Sequence, residues 1–362
     1  MKPALFSLPV AIFFCLLTIG CQPAQKPAET AVPQKPAITP WKGKTHLVIS
    51  AARANFPRLG SWLFNGIYNE FPHREFTGNI LFTGSGYAIE IRNIEDGEAQ
   101  LAVTTPSATP YMAYKGVGLF SQPYPNLRGM FRIGQRDFIT LGVRTDLGVT
   151  SFDDVIKKKI PLKIAAGFQD GDDTTGFLFA EFLKAYGTSI EELKSWGGEV
   201  VNVPVSTPGI KKIMAGEANA IFHEGMAAAS RDWKELSAKI PMRILSIRED
   251  VIDKLAPLGF HKFEQVFHKG RFPGVLDDVT TIDYSDWIVV GDASISEDLA
   301  YKIAKAAVEN IPAWNTQDPT LHTEESSEVG NMIPNPKTMW KDLGAPLHPG
   351  AEKYFKEKGY MP

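Results

Sequence analysis

The sequence predicts an α/β protein of two lobes, each a mostly parallel sheet with helices on both faces. Three observations carry this. Apolar, β-branched runs alternate with segments of helical periodicity along most of the chain. A strand, turn, helix, strand unit recurs, its helix stopping at Gly97-Glu98-Ala99 in one copy and at Gly216-Glu217-Ala218 in the other, with Gln100 to Thr104 and Asn219 to Phe222 as the strand-like runs that follow. Polar side chains gather at strand-to-helix loops, where open α/β sheets place their ligands.

At 362 residues the chain makes one large or two ordinary domains, and 44% hydrophobic with 22% charged residues is ordinary for a globular protein. A net charge of −3 gives no reason to expect nucleic acid or an anionic membrane as the main partner. The N-terminus reads as a signal peptide over residues 1–20: Lys2, an apolar run from Ala4 to Ile19, then Gly20-Cys21. Leu17-Thr18-Ile19-Gly20-Cys21 resembles the bacterial lipobox, which makes Cys21 the candidate lipidation site; ordinary cleavage nearby is the alternative. Cys15 leaves with the signal and no cysteine follows Cys21, so no disulfide is expected in the mature fold. Residues 21–44 are a Pro-rich tether with Pro23, Pro27, Pro33, Pro36 and Pro40.

The folded part begins near Thr45. Thr45 to Ala52 reads as a strand and Arg58 to Phe71 as a helix, with Asn55 and Arg58 in or beside the loop between them. Asn79 to Thr83 is the next strand, followed by the turn Gly84-Ser85-Gly86-Tyr87 and a helix that stops at Gly97. Thr105 opens a further helix, and Gly129 to Gly134 and Asp137 to Arg144 read as paired strands. Ser151 to Asp154 has capping-box spacing. Pro161 to Ala166 is a strand that leads into the polar loop Gly167 to Gly176, where Asp170, Asp172 and Asp173 oppose an anion or cap the helix from Phe177 to Tyr186. The second Gly-Glu-Ala unit follows, then a helix from Met226 to Leu236, strands at Met242 to Leu245 and Trp287 to Val290, and a helix from Ser296 to Ile311. Residues 257–285 are irregular.

No catalytic constellation is present. His223-Glu224 lacks a second His four residues on, the histidines show no metal-ligand spacing, and Gly84-Ser85-Gly86 completes neither a dinucleotide fingerprint nor a nucleophile elbow. No catalytic residue, metal or cofactor is therefore expected. What recurs is polar groups at loops: Asn55 and Arg58; Ser85 and Tyr87; Thr105; Thr174 and Thr175; Glu224. Such groups orient a small polar ligand when they converge on a cleft, and each is otherwise a cap or a loop residue. Arg58 stands out because a guanidinium grips a carboxylate through two parallel hydrogen bonds.

The order of segments, with Pro346-Leu347-His348-Pro349-Gly350-Ala351-Glu352-Lys353-Tyr354-Phe355 and the turn Phe272-Pro273-Gly274, resembles the TAXI family of solute-binding proteins of tripartite (TRAP) transporters over about residues 45–360. The resemblance implies a two-lobed type II periplasmic-binding fold whose chain crosses twice between lobes, near Arg144 and between about 245 and 285. Placed on the sequence, those crossings make lobe 1 residues 45–143 plus about 250–320, lobe 2 144–249, and 321–362 a C-terminal tail wrapping the lobes. It also implies capture of a small polar carboxylate or amino-acid-like solute and its delivery to a TRAP membrane permease, by an exported, periplasmic or cell-surface, lipid-anchored protein that is not an enzyme. In the loops, Asn55 to Gly60 stands where the family tends to Thr-Tyr-Tyr-Pro-Leu-Gly, and Gly171-Asp172-Asp173-Thr174 stands for Gly-Ser-Gly-Thr with Thr175 added. Either Ser85 or Tyr87 occupies the family's serine position. Arg58 would hold a carboxylate, Asn55, Thr105, Thr174 and Thr175 would orient it, and Asp172 or Glu224 would meet an amine. A ligand-sensing or scaffolding lipoprotein of the same fold is the alternative, and a periplasmic enzyme a more distant one.

Overall fold

The chain folds around two mixed sheets. In the computed structural model the described residues are 44–52, 56–84, 86–225, 230–264, 268–270, 273–313 and 332–362. The signal segment, Cys21, the tether, Asn55, Ser85 and Phe272 lie outside them.

The first sheet contains β1 (Thr45–Ala51), β2 (Phe76–Phe82), β3 (Leu101–Thr104), β4 (Leu127–Gln135), β10 (Trp287–Asp292) and β11 (Met332–Ile333), in the order β11-β4-β10-β3-β1-β2. The second contains β5 (Thr140–Arg144), β6 (Lys163–Ala166), β7 (Glu199–Asn202), β8 (Ala220–His223) and β9 (Met242–Ile244), in the order β7-β6-β8-β5-β9. In each, three strands run parallel in the order second, first, third, and an antiparallel strand from beyond a crossing lies against the third: β10 beside β3, and β5 beside β8. This repeated order with two crossings is the type II arrangement. Strands β3, β8 and β10 are buried on both faces, as helices on either side require. The helices are α1 (Phe56–Tyr68), α2 (Ile89–Glu95), α3 (Ala108–Lys115), α4 (Phe152–Lys158), α5 (Thr174–Ala185), α6 (Ile190–Ser195), α7 (Ser206–Met214), α8 (Ser230–Lys239), α9 (Glu249–Leu255), α10 (Glu297–Glu309) and α11 (Pro349–Glu357).

One expected pairing does not form. Gly129 to Gly134 and Asp137 to Arg144 read as a hairpin, but β4 and β5 belong to different sheets, and residues 136–139 between them are the first crossing, ahead of the position expected near Arg144. A four-residue connection between two apolar runs looks the same in sequence whether the chain turns back or carries straight on. The return crossing runs beside it: Ile139 N–H donates to Ile282 O (3.0 Å), Tyr284 N–H donates to Asp137 O (3.1 Å), and Phe138 bridges Asp283 in antiparallel fashion.

The Gly-Glu-Ala echo has a structural basis. Gly97 and Gly216 take left-handed φ values of 83° and 75° where α2 and α7 end, and Ala99 and Ala218 are buried beneath the turns. The next residue is an amide in both copies. Gln100 N–H donates to Val48 O while its side-chain oxygen accepts from Val48 N–H (2.8 Å); Asn219 N–H donates to Lys163 O while its side-chain oxygen accepts from Lys163 N–H (2.9 Å). Each amide thus pairs with the first parallel strand of its lobe one residue ahead of the ladder to the third, which begins at Ile49–Leu101 and at Ile164–Ala220.

The C-terminal motif docks the chain end on the first lobe. Gly129 N–H donates to Pro346 O and His348 N–H donates to Gly129 O (2.9 Å each), which lays this stretch along β4. His348 caps α11 by accepting from Gly350 N–H through Nδ1 (3.2 Å), so its Nε2 carries the proton that goes to Ile295 O (3.0 Å). A β-carbon on Gly350 would lie 2.1 Å from Glu297 O, which is why no side chain fits there.

Replacing Gln100 by Ala should cost about 1–3 kcal/mol in urea-induced unfolding, because a buried strand donor loses its partner. Asn219→Ala should cost less, since water reaches its bond at Lys163. Equal losses would mean that the two amides do not act as argued.

Candidate functional site

The carboxyl ends of the parallel strands in both sheets point toward one seam, and the loops that follow them meet there. After β2 the chain passes through Gly86 and Tyr87 into α2; after β6 it passes through Asp172 and Asp173 into α5. These loops exchange backbone hydrogen bonds across the seam: Ala88 N–H donates to Asp172 O (3.3 Å) and Thr174 N–H donates to Gly86 O (2.9 Å). The approach is close enough that a β-carbon on Gly86 would lie 2.5 Å from Asp172 O.

Side chains close the seam further. Tyr87 Oη donates to Glu224 Oε1 (3.1 Å), and the ring of Tyr87 lies 5.3 Å from Phe56 and 6.3 Å from Tyr284. Thr109 and Thr174 share a hydroxyl contact (3.2 Å), as do Thr175 and Tyr284 (2.9 Å). At the rim Arg92 of α2 pairs with Asp172 (2.9 Å), donates to Leu119 O and Gly171 O, and stacks over Phe120.

Tyr87, Asp172, Thr174, Thr175 and Glu224, all selected from sequence, therefore come together. Thr105 lies next to them, but its hydroxyl turns to backbone carbonyls of the return crossing, Asp286 O (2.7 Å) and Tyr284 O (3.5 Å), while its own carbonyl accepts from Thr109. Arg58 is half-buried in the first turn of α1, two residues beyond Phe56. The loop acids divide as caps and clasps: Asp173 caps α5 by accepting from Gly176 N–H (2.9 Å), Asp170 accepts from Asp172 N–H, and Asp172 holds Arg92.

Sequence reasoning missed Asp137, Tyr284, Thr109 and Arg92. Asp137 lies in the first crossing and accepts from Gly225 N–H through both carboxylate oxygens (3.1 Å each) and from Phe138 N–H (2.8 Å). Tyr284 lies in the return crossing, where no periodicity marks a residue; Thr109 and Arg92 sit inside helices and read there as ordinary helix positions.

The electrostatics of the seam are one-sided. Burial raises the Glu224 carboxyl to about 7, against the opposing hydrogen bonds from Tyr87 and Asp137. Asp137 is raised by burial and then by the charge of Glu224, and Asp173 is raised chiefly by burial. The Tyr87 and Tyr284 phenols are raised by burial and by Glu224, and burial pushes the His223 imidazole down, so it is neutral at pH 7. The seam is thus a desolvated carboxyl site lined by phenols, with its rim arginine already paired. Among the described residues no group of His, Cys, Asp and Glu is arranged to hold a metal ion.

A concavity of about 800 Å3 opens beside the crossings, lined by Arg132, Arg136, Lys262, Asp283, Asp286 and Asp342 among others. None of the sequence-selected residues lines it. Arg132 is held there by Asp286 and Asp342, and Lys262 by Glu249. The seam, where both sheets present their strand ends and where Glu224, Asp137 and Asp173 form no pair with Lys or Arg among the described residues, is the stronger candidate.

The family model described as NMT1-like family matches residues 79–359. Among solved structures, the chain is similar to one described as a periplasmic transporter, at 16% identity over 87% of this chain and 93% of that chain (TM-score 0.43). It is also similar to the alkanesulfonate-binding protein from Xanthomonas axonopodis pv. citri bound to MOPS, at 13% identity over 88% and 84% (TM-score 0.42). A third is the GluR0 ligand-binding core from Nostoc punctiforme in complex with glutamate, at 12% identity over 75% and 96% (TM-score 0.39).

Because Glu224 keeps its proton to about 7 when folded and releases it near 4.5 when unfolded, the folded chain binds more protons in this window. Stability should therefore fall as pH rises from about 4.5 to about 7, by up to about 1.4 kcal/mol per pH unit for such a group, and level off above that. Glu90, buried and raised to about 7, adds to the same slope. In urea unfolding at pH 5 to 8, Glu224→Gln should flatten the decline, since an amide accepts from Tyr87 without needing a proton. An unchanged slope would show that Glu224 is ionised throughout.

Proposed function

We propose, for a chain that belongs to the NMT1-like family, that it is an extracytoplasmic solute receptor that captures a small amino-acid-like solute at the seam between its lobes and delivers it to a TRAP-type membrane permease. One observation carries the reading: polar loops from two sheets converge on a desolvated group of carboxyls, Glu224, Asp137 and Asp173, that pair with no Lys or Arg among the described residues. A solute ammonium supplies that cation, with Glu224 and Asp137 as its acceptors. Its carboxylate is then left for Arg58, in the first turn of α1, and for the hydroxyls of Thr174 and Thr175. A simple dicarboxylate would place negative charge against Glu224 and is disfavoured by the same groups.

Capture requires the lobes to part and close again. The two adjacent crossings supply the connection about which they do so, and the contacts between Gly86–Ala88 and Asp172–Thr174 are those broken on opening. Export through the signal segment and anchoring at Cys21 would keep the receptor at the membrane face where a permease can take the solute.

A thermal-shift panel of amino acids, amines and dicarboxylates tests the reading. A true solute at about 100 times its dissociation constant adds about 2.7 kcal/mol of stability. For the solute identified, Arg58→Ala and Glu224→Gln should each weaken binding about tenfold or more, as expected for loss of a charge-assisted hydrogen bond of about 1.5–3 kcal/mol. Binding of an ammonium must also strip the proton from Glu224, so affinity should rise between pH 6 and 8. Stabilisation by dicarboxylates alone, or affinity that falls over this range, would overturn the assignment of the amine.

A further inference from the structure

Tyr87 stands in a costly position. Its φ of 67° lies in the left-handed region that non-glycine residues adopt under constraint, and the backbone on either side is bonded across the seam at Gly86 and Ala88. Its carbonyl accepts from Thr104 Oγ1 (2.9 Å), which holds the turn in this form. The result is to hold the phenol between Phe56 of its own lobe and Tyr284 of the return crossing, with Trp287 4.6 Å beyond Phe56 and Glu224 of the other lobe at the phenol's tip.

The surroundings are better suited to a cation than to a phenol. The walls are aromatic faces and the floor is the carboxyls of Glu224, Asp137 and Asp173, a combination that recognises organic ammonium groups. Next to Tyr87, Glu90 Oε2, on a residue 0% exposed, also lacks a hydrogen-bond partner. A phenol gives Glu224 one donor and no charge, leaving part of the site's hydrogen-bonding capacity unused.

Resting on the receptor reading above, we infer that Tyr87 is an internal occupant of the solute site, standing in for the solute's donor end, and that the solute which expels it is an organic amine whose flat apolar body replaces the phenol ring. Closure without solute is then a self-liganded state. The solute competes with a side chain of the receptor, and apparent affinity is reduced by the fraction of molecules in which Tyr87 is docked.

The test empties the position and offers probes of matched size and different charge. Tyr87→Ala is titrated calorimetrically with benzylamine, benzyl alcohol and benzoate. Benzylamine should bind at least tenfold more tightly than benzyl alcohol, benzoate should not bind, and adding Glu224→Gln should erase the preference for the amine. Benzoate binding as well as benzylamine, or no binding by any probe, would overturn the inference. Should Tyr87→Ala not fold, Tyr87→Phe removes only the hydroxyl: the Ala88 and Thr174 amides should then exchange with solvent at least tenfold faster while amides in β1 and β6 do not change. Unaltered exchange at Ala88 and Thr174 would equally refute it. Neither arm needs the natural solute, so a wild-type protein that binds nothing in the panel counts against the receptor reading, whereas failure of these variants counts against Tyr87 alone.

Discussion

The constraint on which the rest of the structure depends is the pairing of the two crossings. Residues 136–139 and 281–286 run side by side in opposite directions, joined through Ile139 to Ile282 and Tyr284 to Asp137. Each sheet consequently receives an antiparallel strand from beyond a crossing, and the carboxyl ends of the two parallel sets are brought face to face. The same segments carry Asp137 and Tyr284, so the connection between the lobes also supplies part of the seam's chemistry.

Burial decides what that chemistry is. A carboxylate in water is content with solvent, but at the seam Glu224, Asp137 and Asp173 have been taken out of it, and desolvation leads the causes that hold all three above their ordinary range. Their partners are backbone N–H groups, a phenol and one another, which satisfy hydrogen bonds without supplying charge. The cation at the rim, Arg92, is engaged by Asp172. A site of this kind stores an unmet preference for positive charge, and that preference favours an amino-acid-like solute over a dicarboxylate.

Much of the fold was legible because it is locally encoded. The Gly-Glu-Ala echo is visible because a helix must end in a left-handed residue, an apolar side chain must cover the turn, and an amide must close the neighbouring strand; these demands fall on consecutive residues and recur in both lobes. Ser151 and Ser296 capped the helices expected of them for the same local reason. The hairpin at residues 129–144 misled because pairing partners are not local. Nothing within β4 or β5 states that each joins a strand far away in sequence, β4 with β10 and β5 with β8.

The sequence by itself determined the class of the fold, the loops from which the seam is built, and the residue types, such as Tyr87, Thr174 and Glu224, that occupy it. Periodicity, caps and loop polarity are properties of neighbouring residues, so they can be read along the chain. Only the tertiary structure decided which of those groups face one another, that Thr105 turns its hydroxyl to Asp286, and that Asp137 and Tyr284 join from the crossings. It also decided charge. A carboxyl has the same letter in sequence whether solvated or buried, and its proton affinity is set by the water that the fold removes and the partners that it leaves.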